Sequence, residues 1–173
     1  MKSKDLVLCS LFASITVICA QISLPIGSVP FTLQVFSVML VSLLFDKNKS
    51  FISILVYVLI GAIGLPVFAN LTGGFGILFG PTGGYILSLP ICAYVVSSLN
   101  EKFSKNNFQT FLIMVFGLLI VYLFGTSQFM LITKNDLLTS LSLCVLPFVI
   151  FDLIKIIMAI YISKIISKKL KYL

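Results

Sequence analysis

The chain has 173 residues, of which 60% are apolar and only 10% are charged. Roughly a quarter of the residues in a soluble domain carry charge, so this composition excludes an ordinary soluble protein and indicates an integral membrane protein. The net charge of +7 rests on twelve lysines, and the chain has no histidine, the most frequent general base and metal ligand.

Six apolar segments follow one another along the chain. They predict helices at about residues 6–24, 31–45, 51–65, 85–99, 108–132 and 148–166, within one integral membrane domain, 1–173. The predicted fold is an all-α membrane protein, a six-transmembrane-helix bundle with irregular glycine-rich external loops. The second to fourth helices have only about fifteen apolar residues, short of the roughly twenty needed to cross a bilayer. We therefore expect the neighbouring loops to dip inward and wall a pocket.

The bounds of the first and last helices depend on more than the apolar pattern. The N-terminus resembles a secretory signal, but its apolar run continues past Ala20, so we interpret it as a transmembrane helix. The last apolar stretch, 137–167, is too long for one span, and Pro147 is favoured only in the first turn of a helix. Starting the last helix there leaves 137–146 as an interfacial segment and places Asp152 and Lys155 near one mouth of the bundle.

The lysines are distributed unevenly over the predicted loops. With an even number of spans, ten of the twelve lie on the side of the two termini; Lys134 lies on the opposite side and Lys155 lies inside the membrane. The positive-inside rule then predicts a multi-pass protein with both termini in the cytoplasm. The glycine-rich loops and the mouth near Asp152 are expected on the external side.

Asp152 and Lys155 are the candidate site with the strongest physical argument. A charge at the centre of a bilayer costs about 2.5–3.5 kcal/mol on the insertion scale, and residues three apart share one helical face. The pair is either a structural ion pair or the centre of a site for a polar ligand. Polar residues of the loops support the second interpretation, namely Thr32, Gln34, Asn70 and Tyr85.

Several other chemistries find no support in the sequence. The four cysteines stand singly in apolar runs and indicate buried small side chains rather than metal ligands. No nucleotide-binding loop, paired carboxylates or catalytic triad is present, so we expect no enzyme, metal or cofactor. The lysine clusters fit a membrane face better than nucleic acid. An ion-coupled secondary transporter, with Asp152 as the cation site, remains the alternative.

Helix 1 carries small residues four apart, Ser10 and Ser14, with Ala13 beside them. Such spacing lets another helix approach closely. These residues face either a partner subunit or another helix of the same chain.

Five stretches resemble the biotin-specific substrate-binding (S) components of energy-coupling factor vitamin transporters, the BioY family. They are Ser10-Leu-Phe-Ala-Ser14, Val29-Pro-Phe-Thr-Leu-Gln34, Gly61-Ala-Ile-Gly-Leu-Pro-Val67, Phe79-Gly-Pro-Thr-Gly-Gly-Tyr85 and Asp152-x-x-Lys155. The resemblance implies a six-helix bundle in a bacterial cell membrane that binds biotin from outside. It also implies a transmembrane coupling subunit, which Ser10 and Ser14 would face, and two ATPase subunits.

With biotin as the implied ligand, its chemical groups suggest roles for the site residues, which we state as a hypothesis. Asp152 would accept hydrogen bonds from the ureido N–H groups of biotin, with Asn70, Gln34 and Thr32 completing the polar contacts. Lys155 would either pair with the ligand carboxylate, or neutralise Asp152 while backbone N–H groups of the glycine-rich loop, including Gly73 and Gly74, hold the carboxylate. Apolar cover would come from Tyr85, Phe75 and Phe31. Members often have a basic residue after this tyrosine, where this chain has Ile86.

Overall fold

The computed structural model describes residues 3–24 and 29–170, and most of them are helical. The elements are α1 (Ser3–Gln21), β1 (Ser23–Leu24), β2 (Phe31–Thr32), α2 (Gln34–Leu44), α3 (Lys47–Ala62), a 3-10 helix (Ala69–Leu71), α4 (Phe75–Leu78), α5 (Gly83–Phe103), α6 (Asn107–Thr133), α7 (Leu137–Cys144) and α8 (Val149–Leu170). The first part of the predicted external loop, 25–28, lies outside the described residues, as do Lys2 and Lys171.

The chain between α1 and α2 is more extended than the apolar pattern predicts. Strands β1 and β2 pair antiparallel, with Ser23 opposite Thr32 and Leu24 opposite Phe31. This pairing ends α1 at Gln21 rather than at residue 24, and it delays the start of α2 to Gln34. Residues that were predicted as helix ends therefore form a short hairpin beside the site.

Helix α3 starts earlier than predicted because Asp46 caps it. The Asp46 carboxylate accepts hydrogen bonds from the amides of Asn48 and Lys49, both at 3.1 Å, and so satisfies two N–H groups of the first turn. The helix ends at Ala62, shortly before Gly64, whose φ of 105° favours glycine.

Residues 63–82, which we call the α3–α5 connection, include most of the stretch between the predicted third and fourth helices, 66–84, which was expected to be irregular. The structure shows that this stretch contains the 3-10 helix and α4. Helix α5 then begins at Gly83 and passes through the buried Pro90 to Phe103, beyond the predicted end at residue 99. Glu101 and Lys102, which follow the predicted end, therefore lie within its last turn.

Helices α7 and α8 are bent by 50° relative to each other. The break includes Pro147, and α8 begins two residues later, close to the predicted start. The amide of Asp152 donates to the carbonyl oxygen of Phe148 at 2.8 Å, so Asp152 lies in the first turn of α8.

Apolar side chains cover both the inside and the outside of the bundle. The core contains Val38, Met39, Ile54, Cys92, Val96 and Met114, all fully buried. Helix α6 nevertheless exposes Leu112, Phe116, Leu119 and Leu123 on its outer face, as expected where lipid replaces water. The chain is therefore a multi-pass helical membrane protein.

Helices α1, α5 and α6 are long and apolar enough to cross a membrane, and the bent pair α7–α8 is a fourth candidate if it counts as one span. Helix α2 has 11 residues and α3 has 16, fewer than a regular span requires. The six-span arrangement therefore remains a prediction.

Candidate functional site

A cavity of about 250 Å³ lies at the end of the bundle where α2, α5 and α8 begin. The α3–α5 connection, α6 and the end of α7 complete its walls. The polar side chains in the lining belong to Thr32, Gln34, Asn70, Thr72, Thr82, Tyr85, Tyr122, Asp152 and Lys155. Most of the remaining lining is aliphatic or aromatic, so the cavity suits a small ligand that is partly apolar and partly polar.

Asp152 and Lys155 form an ion pair at the cavity wall. Lys155 Nζ lies 2.7 Å from Asp152 Oδ1, and each residue is only 4% exposed. Their spacing along α8 places both side chains on one face of the helix, as the sequence predicted. Because an unpaired buried charge is costly, each residue makes the burial of the other tolerable.

The Lys155 ammonium group has two further contacts. It donates to the carbonyl oxygen of Thr32 at 2.7 Å, and Nζ lies 3.8 Å from the centroid of the Phe31 ring. The carbonyl group belongs to β2, so the short hairpin supplies an acceptor that a continuous helix would have used internally. A cation above an aromatic face is attracted by the ring quadrupole. Lys155 therefore fixes α8 against the α1–α2 hairpin.

Asp152 has a second partner that the sequence analysis did not identify. The hydroxyl of Tyr122 donates to Asp152 Oδ2 at 2.6 Å from α6. Tyr122 stands out in the sequence as a single phenol in a segment that is otherwise apolar. The sequence did not show which way its side chain faces. Each carboxylate oxygen of Asp152 thus accepts one hydrogen bond from within the protein.

A second polar network lies at the start of α2. The Gln34 side chain donates to the hydroxyl of Tyr57 and accepts from Thr32 Oγ1 at 3.0 Å. The backbone N–H of Gln34 also donates to Thr32 Oγ1, at 3.2 Å. Gln34 and Tyr57 are both buried, and the predicted site residues Thr32 and Gln34 are thereby held as one unit.

Aromatic and aliphatic side chains form the rest of the wall. Phe31 stacks on Phe148 with ring centroids 6.4 Å apart, and it meets Phe151 edge-on at 5.3 Å. Tyr85 lines the cavity from α5, with its hydroxyl 3.3 Å from Thr126 Oγ1. Phe31 and Tyr85 therefore both line the cavity.

Asn70 lies at an exposed position in the 3-10 helix and still lines the cavity, so it belongs to the mouth. Its backbone is left-handed, with φ of 58°, and its Oδ1 accepts from the hydroxyl of Ser23 at 2.8 Å. Asn tolerates this conformation better than most residues. The side-chain amide N–H groups of Asn70 are not used in this bond, so they can donate to a ligand.

Three predicted site residues lie outside the cavity lining. Phe75 is 62% exposed, on α4. A Cβ atom on Gly73 would meet the Leu65 carbonyl oxygen at 2.2 Å, and Gly74 has a φ of 96°. The amide of Gly74 donates to the carbonyl oxygen of Gly61 at 2.7 Å. These two glycines therefore shape the backbone, and the side chain of Phe75 is exposed.

The small residues of α1 divide between two faces. Ser10 and Ser14 are exposed, and their hydroxyls donate to carbonyl oxygens one turn earlier, at 2.9 and 3.0 Å. Ala13 is buried in the core of this chain. Ser10 and Ser14 are therefore small, exposed residues whose hydroxyls are satisfied within α1.

Within residues 3–24 and 29–170, no three acidic or cysteine side chains come together as a metal site would require. The polar groups of the cavity are instead a carboxylate, an ammonium group, amides and hydroxyls. Such groups recognise a small organic molecule by hydrogen bonds and charge.

The chain is thus a helical multi-pass membrane protein with a buried ion pair in an otherwise largely apolar cavity. Such a cavity suits a small, partly polar solute. The comparison with known sequences gives the family. A profile of the BioY family matches residues 1–172, and the chain belongs to this family, which confirms the resemblance seen in its motifs.

Several relatives are similar over nearly their whole length. A protein of Pyrococcus horikoshii named as a probable biotin transporter BioY is 39% identical over 167 residues, which is 95% of this chain and 96% of the relative. The biotin transporter BioY of Thermotoga maritima is 42% identical over 162 residues, covering 92% and 94% of the two chains.

A solved structure has the same fold. The crystal structure of the S-component for biotin from an ECF-type ABC transporter superposes with a TM-score of 0.90 and 27% sequence identity. The match covers 97% of this chain and 95% of that one.

Proposed function

We propose that this chain is the biotin-binding S component of an energy-coupling factor transporter. It captures biotin at the external face of the membrane, and partner subunits drive import with ATP. The observation that carries the proposal is the buried Asp152–Lys155 pair in the wall of the cavity. Family membership and the match to an S-component for biotin support it.

Biotin has a ureido ring with two N–H donors, an apolar bicycle and chain, and a carboxylate. We place the ureido ring against Asp152. Each of its carboxylate oxygens already accepts one hydrogen bond, from Lys155 or Tyr122, and keeps a second lone pair for a ligand N–H group. Phe31 and Tyr85 then cover the apolar parts.

For the carboxylate, we favour a position near the mouth. Lys155 uses two of its three donors on Asp152 and on the Thr32 carbonyl oxygen, which supports a role in neutralising Asp152. The exposed Asn70 offers N–H donors where a charged group keeps part of its hydration. Gly73 and Gly74 do not contribute to this proposal, because they lie outside the cavity lining.

The proposed orientation puts the cavity outside and both termini in the cytoplasm, in a six-helix bundle. The lysine positions support it. Lys134 and Lys155 are the lysines at the cavity end of the described chain, whereas the opposite end holds Lys4, Lys47, Lys49, Lys102, Lys105, Lys164 and Lys168. The exposed face around Ser10 and Ser14 would receive the coupling subunit, with two ATPase subunits completing the complex.

The test is binding of labelled biotin to the purified chain. We expect Asp152→Asn and Lys155→Ala to weaken binding by about ten- to a hundredfold, since each removes a hydrogen bond to a charged group. Lys134→Ala, a lysine outside the cavity lining, is the matched control. Equal binding by all three variants and the parent chain would refute the site.

A second measurement separates the proposal from an ion-coupled transporter. Liposomes that contain only this chain should bind biotin but should not accumulate it under a proton or sodium gradient. Accumulation driven by either gradient would favour a secondary transporter with Asp152 as the coupling site.

A further inference from the structure

The α3–α5 connection supplies a large part of the cavity wall, including Phe68, Asn70, Thr72 and Thr82. Its residues form only one 3-10 turn and one turn of α-helix, and several of its backbone carbonyl and amide groups need partners from outside the connection. Two glutamine side chains from α1 and α6 provide partners for that backbone.

Gln128 of α6 holds the end of the connection that leads into α5. Its Nε2 donates to the carbonyl oxygens of Leu78 and Gly80, both at 2.8 Å. A Cβ atom on Gly83 would lie 2.6 Å from the same nitrogen, so glycine is needed there for the amide to reach the backbone. Tyr85, a cavity residue, follows two positions later.

Gln21, the last residue of α1, holds the other end. Its Nε2 donates to the carbonyl oxygen of Phe68 at 3.0 Å, and its Oε1 accepts from the amide of Leu71 at 3.0 Å. Asn70 and Leu71, at this end, have φ angles of 58° and 55°. Left-handed backbone is unfavourable for residues other than glycine, and it persists only where surrounding contacts hold it.

We propose that Gln21 and Gln128 are positioning residues that hold the α3–α5 connection against the cavity and thereby set how long a bound ligand stays. The proposal takes the identity of the ligand from the proposed function. The hydrogen bonds of Gln21 and Gln128 to the connection, which we call the two clamps, do not depend on that identity. Neither glutamine is in the cavity lining, so their effect on binding acts through the connection.

The two clamps use different atoms, and this difference gives a chemical signature. Gln128 acts through its N–H donors, so Gln128→Glu, with an acceptor in place of the donor, should behave like Gln128→Met or worse. Gln21 uses both its donor and its acceptor. Gln21→Glu keeps the acceptor for the Leu71 amide and should therefore lie between the parent chain and Gln21→Met.

The experiment measures dissociation of labelled biotin and hydrogen exchange of residues 63–82 in the purified full-length chain. We expect Gln21→Met and Gln128→Met to release biotin about tenfold faster, since each loses two hydrogen bonds. Both should also exchange the amides of the connection faster without ligand. The control is Gln109→Met, because Gln109 bonds the Lys105 amide at the other end of the bundle. It should match the parent chain in both measurements.

Unchanged dissociation and exchange in both methionine variants would overturn the proposal. A lower melting temperature with unchanged exchange in 63–82 would also overturn it, because the glutamines would then stabilise the bundle alone. If the parent chain binds no biotin, the proposed function fails. Faster exchange in the two variants would still support the clamps in that case.

Discussion

The hydroxyl of Tyr122 lies 2.6 Å from Asp152 Oδ2, and this hydrogen bond joins α6 to the charged turn of α8. Together with Lys155 on Oδ1, it fixes the carboxylate plane of Asp152 at the cavity wall. A carboxylate held in this way does not need to reorient when a ligand N–H group arrives, which reduces the entropy cost of binding.

Tyr122→Phe removes this hydrogen bond and leaves the aromatic ring in place. Hydrogen bonds to charged groups are worth about 1.5–3 kcal/mol, so biotin affinity should fall by about ten- to a hundredfold. Calorimetric titration of the purified chain measures this change. Tyr161→Phe is the control, because Tyr161 lies on α8 and is exposed. Wild-type affinity in Tyr122→Phe would show that Asp152 does not need this donor.

The Asp152–Lys155 pair should show strong coupling in stability. Removing one partner of a buried pair leaves an uncompensated charge and costs about 3–5 kcal/mol. Lys155→Met should therefore lower the melting temperature of the ligand-free chain strongly. The double variant Asp152→Asn/Lys155→Met should recover most of that loss, although it should not bind biotin.

The measurement for this pair is thermal unfolding of both single variants and the double variant in the same detergent. If the double variant loses as much stability as the two single variants combined, the residues do not stabilise each other, and the ion pair is not the reason that both are tolerated in the membrane.

Gly125 determines where Tyr85 lies. A Cβ atom at Gly125 would come within 2.2 Å of the Tyr85 ring, so Gly125→Ala must displace the ring or separate α5 from α6. We expect weaker biotin binding and a lower melting temperature. Gly76→Ala is the matched control, because a Cβ atom there meets nothing within 4 Å. Biotin titration and thermal unfolding check both variants, and equal effects of the two would contradict the argument.

The exposed face of α1 gives a prediction about assembly. Ser10→Leu and Ser14→Leu place bulky side chains on the surface proposed for the coupling subunit, where close helix approach needs small residues. Biotin binding by the chain alone should be unchanged, while co-purification with the coupling subunit should fall. Ser167→Leu, an exposed serine on α8, is the control. Undiminished co-purification of both α1 variants would exclude this face.

Sequence reasoning succeeded where geometry within one element was sufficient. The contact between Asp152 and Lys155 follows from their spacing on a helix. The family itself was identified from short motifs. Each of these inferences used residues that are close together in the sequence, or motifs that can be read from it directly.

The contacts that sequence reasoning missed depend on how separate elements are rotated against one another. Tyr122 meets Asp152 only because α6 and α8 present those faces to each other, and an apolar helix gives little signal for its rotation. Phe75 was expected to cover apolar parts of the ligand, but it is 62% exposed on α4. Its neighbours in the sequence do not specify which way its side chain faces.

The ion pair of α8 also affects how this helix enters the membrane during biosynthesis. A lone charge in an inserting helix costs about 2.5–3.5 kcal/mol at the centre of the bilayer. Because Asp152 and Lys155 are three residues apart on the same helix, their charges can neutralise each other as soon as one turn has formed. Helix α8 therefore pairs these two charges within itself, and this pairing needs no contact from α6 or the hairpin.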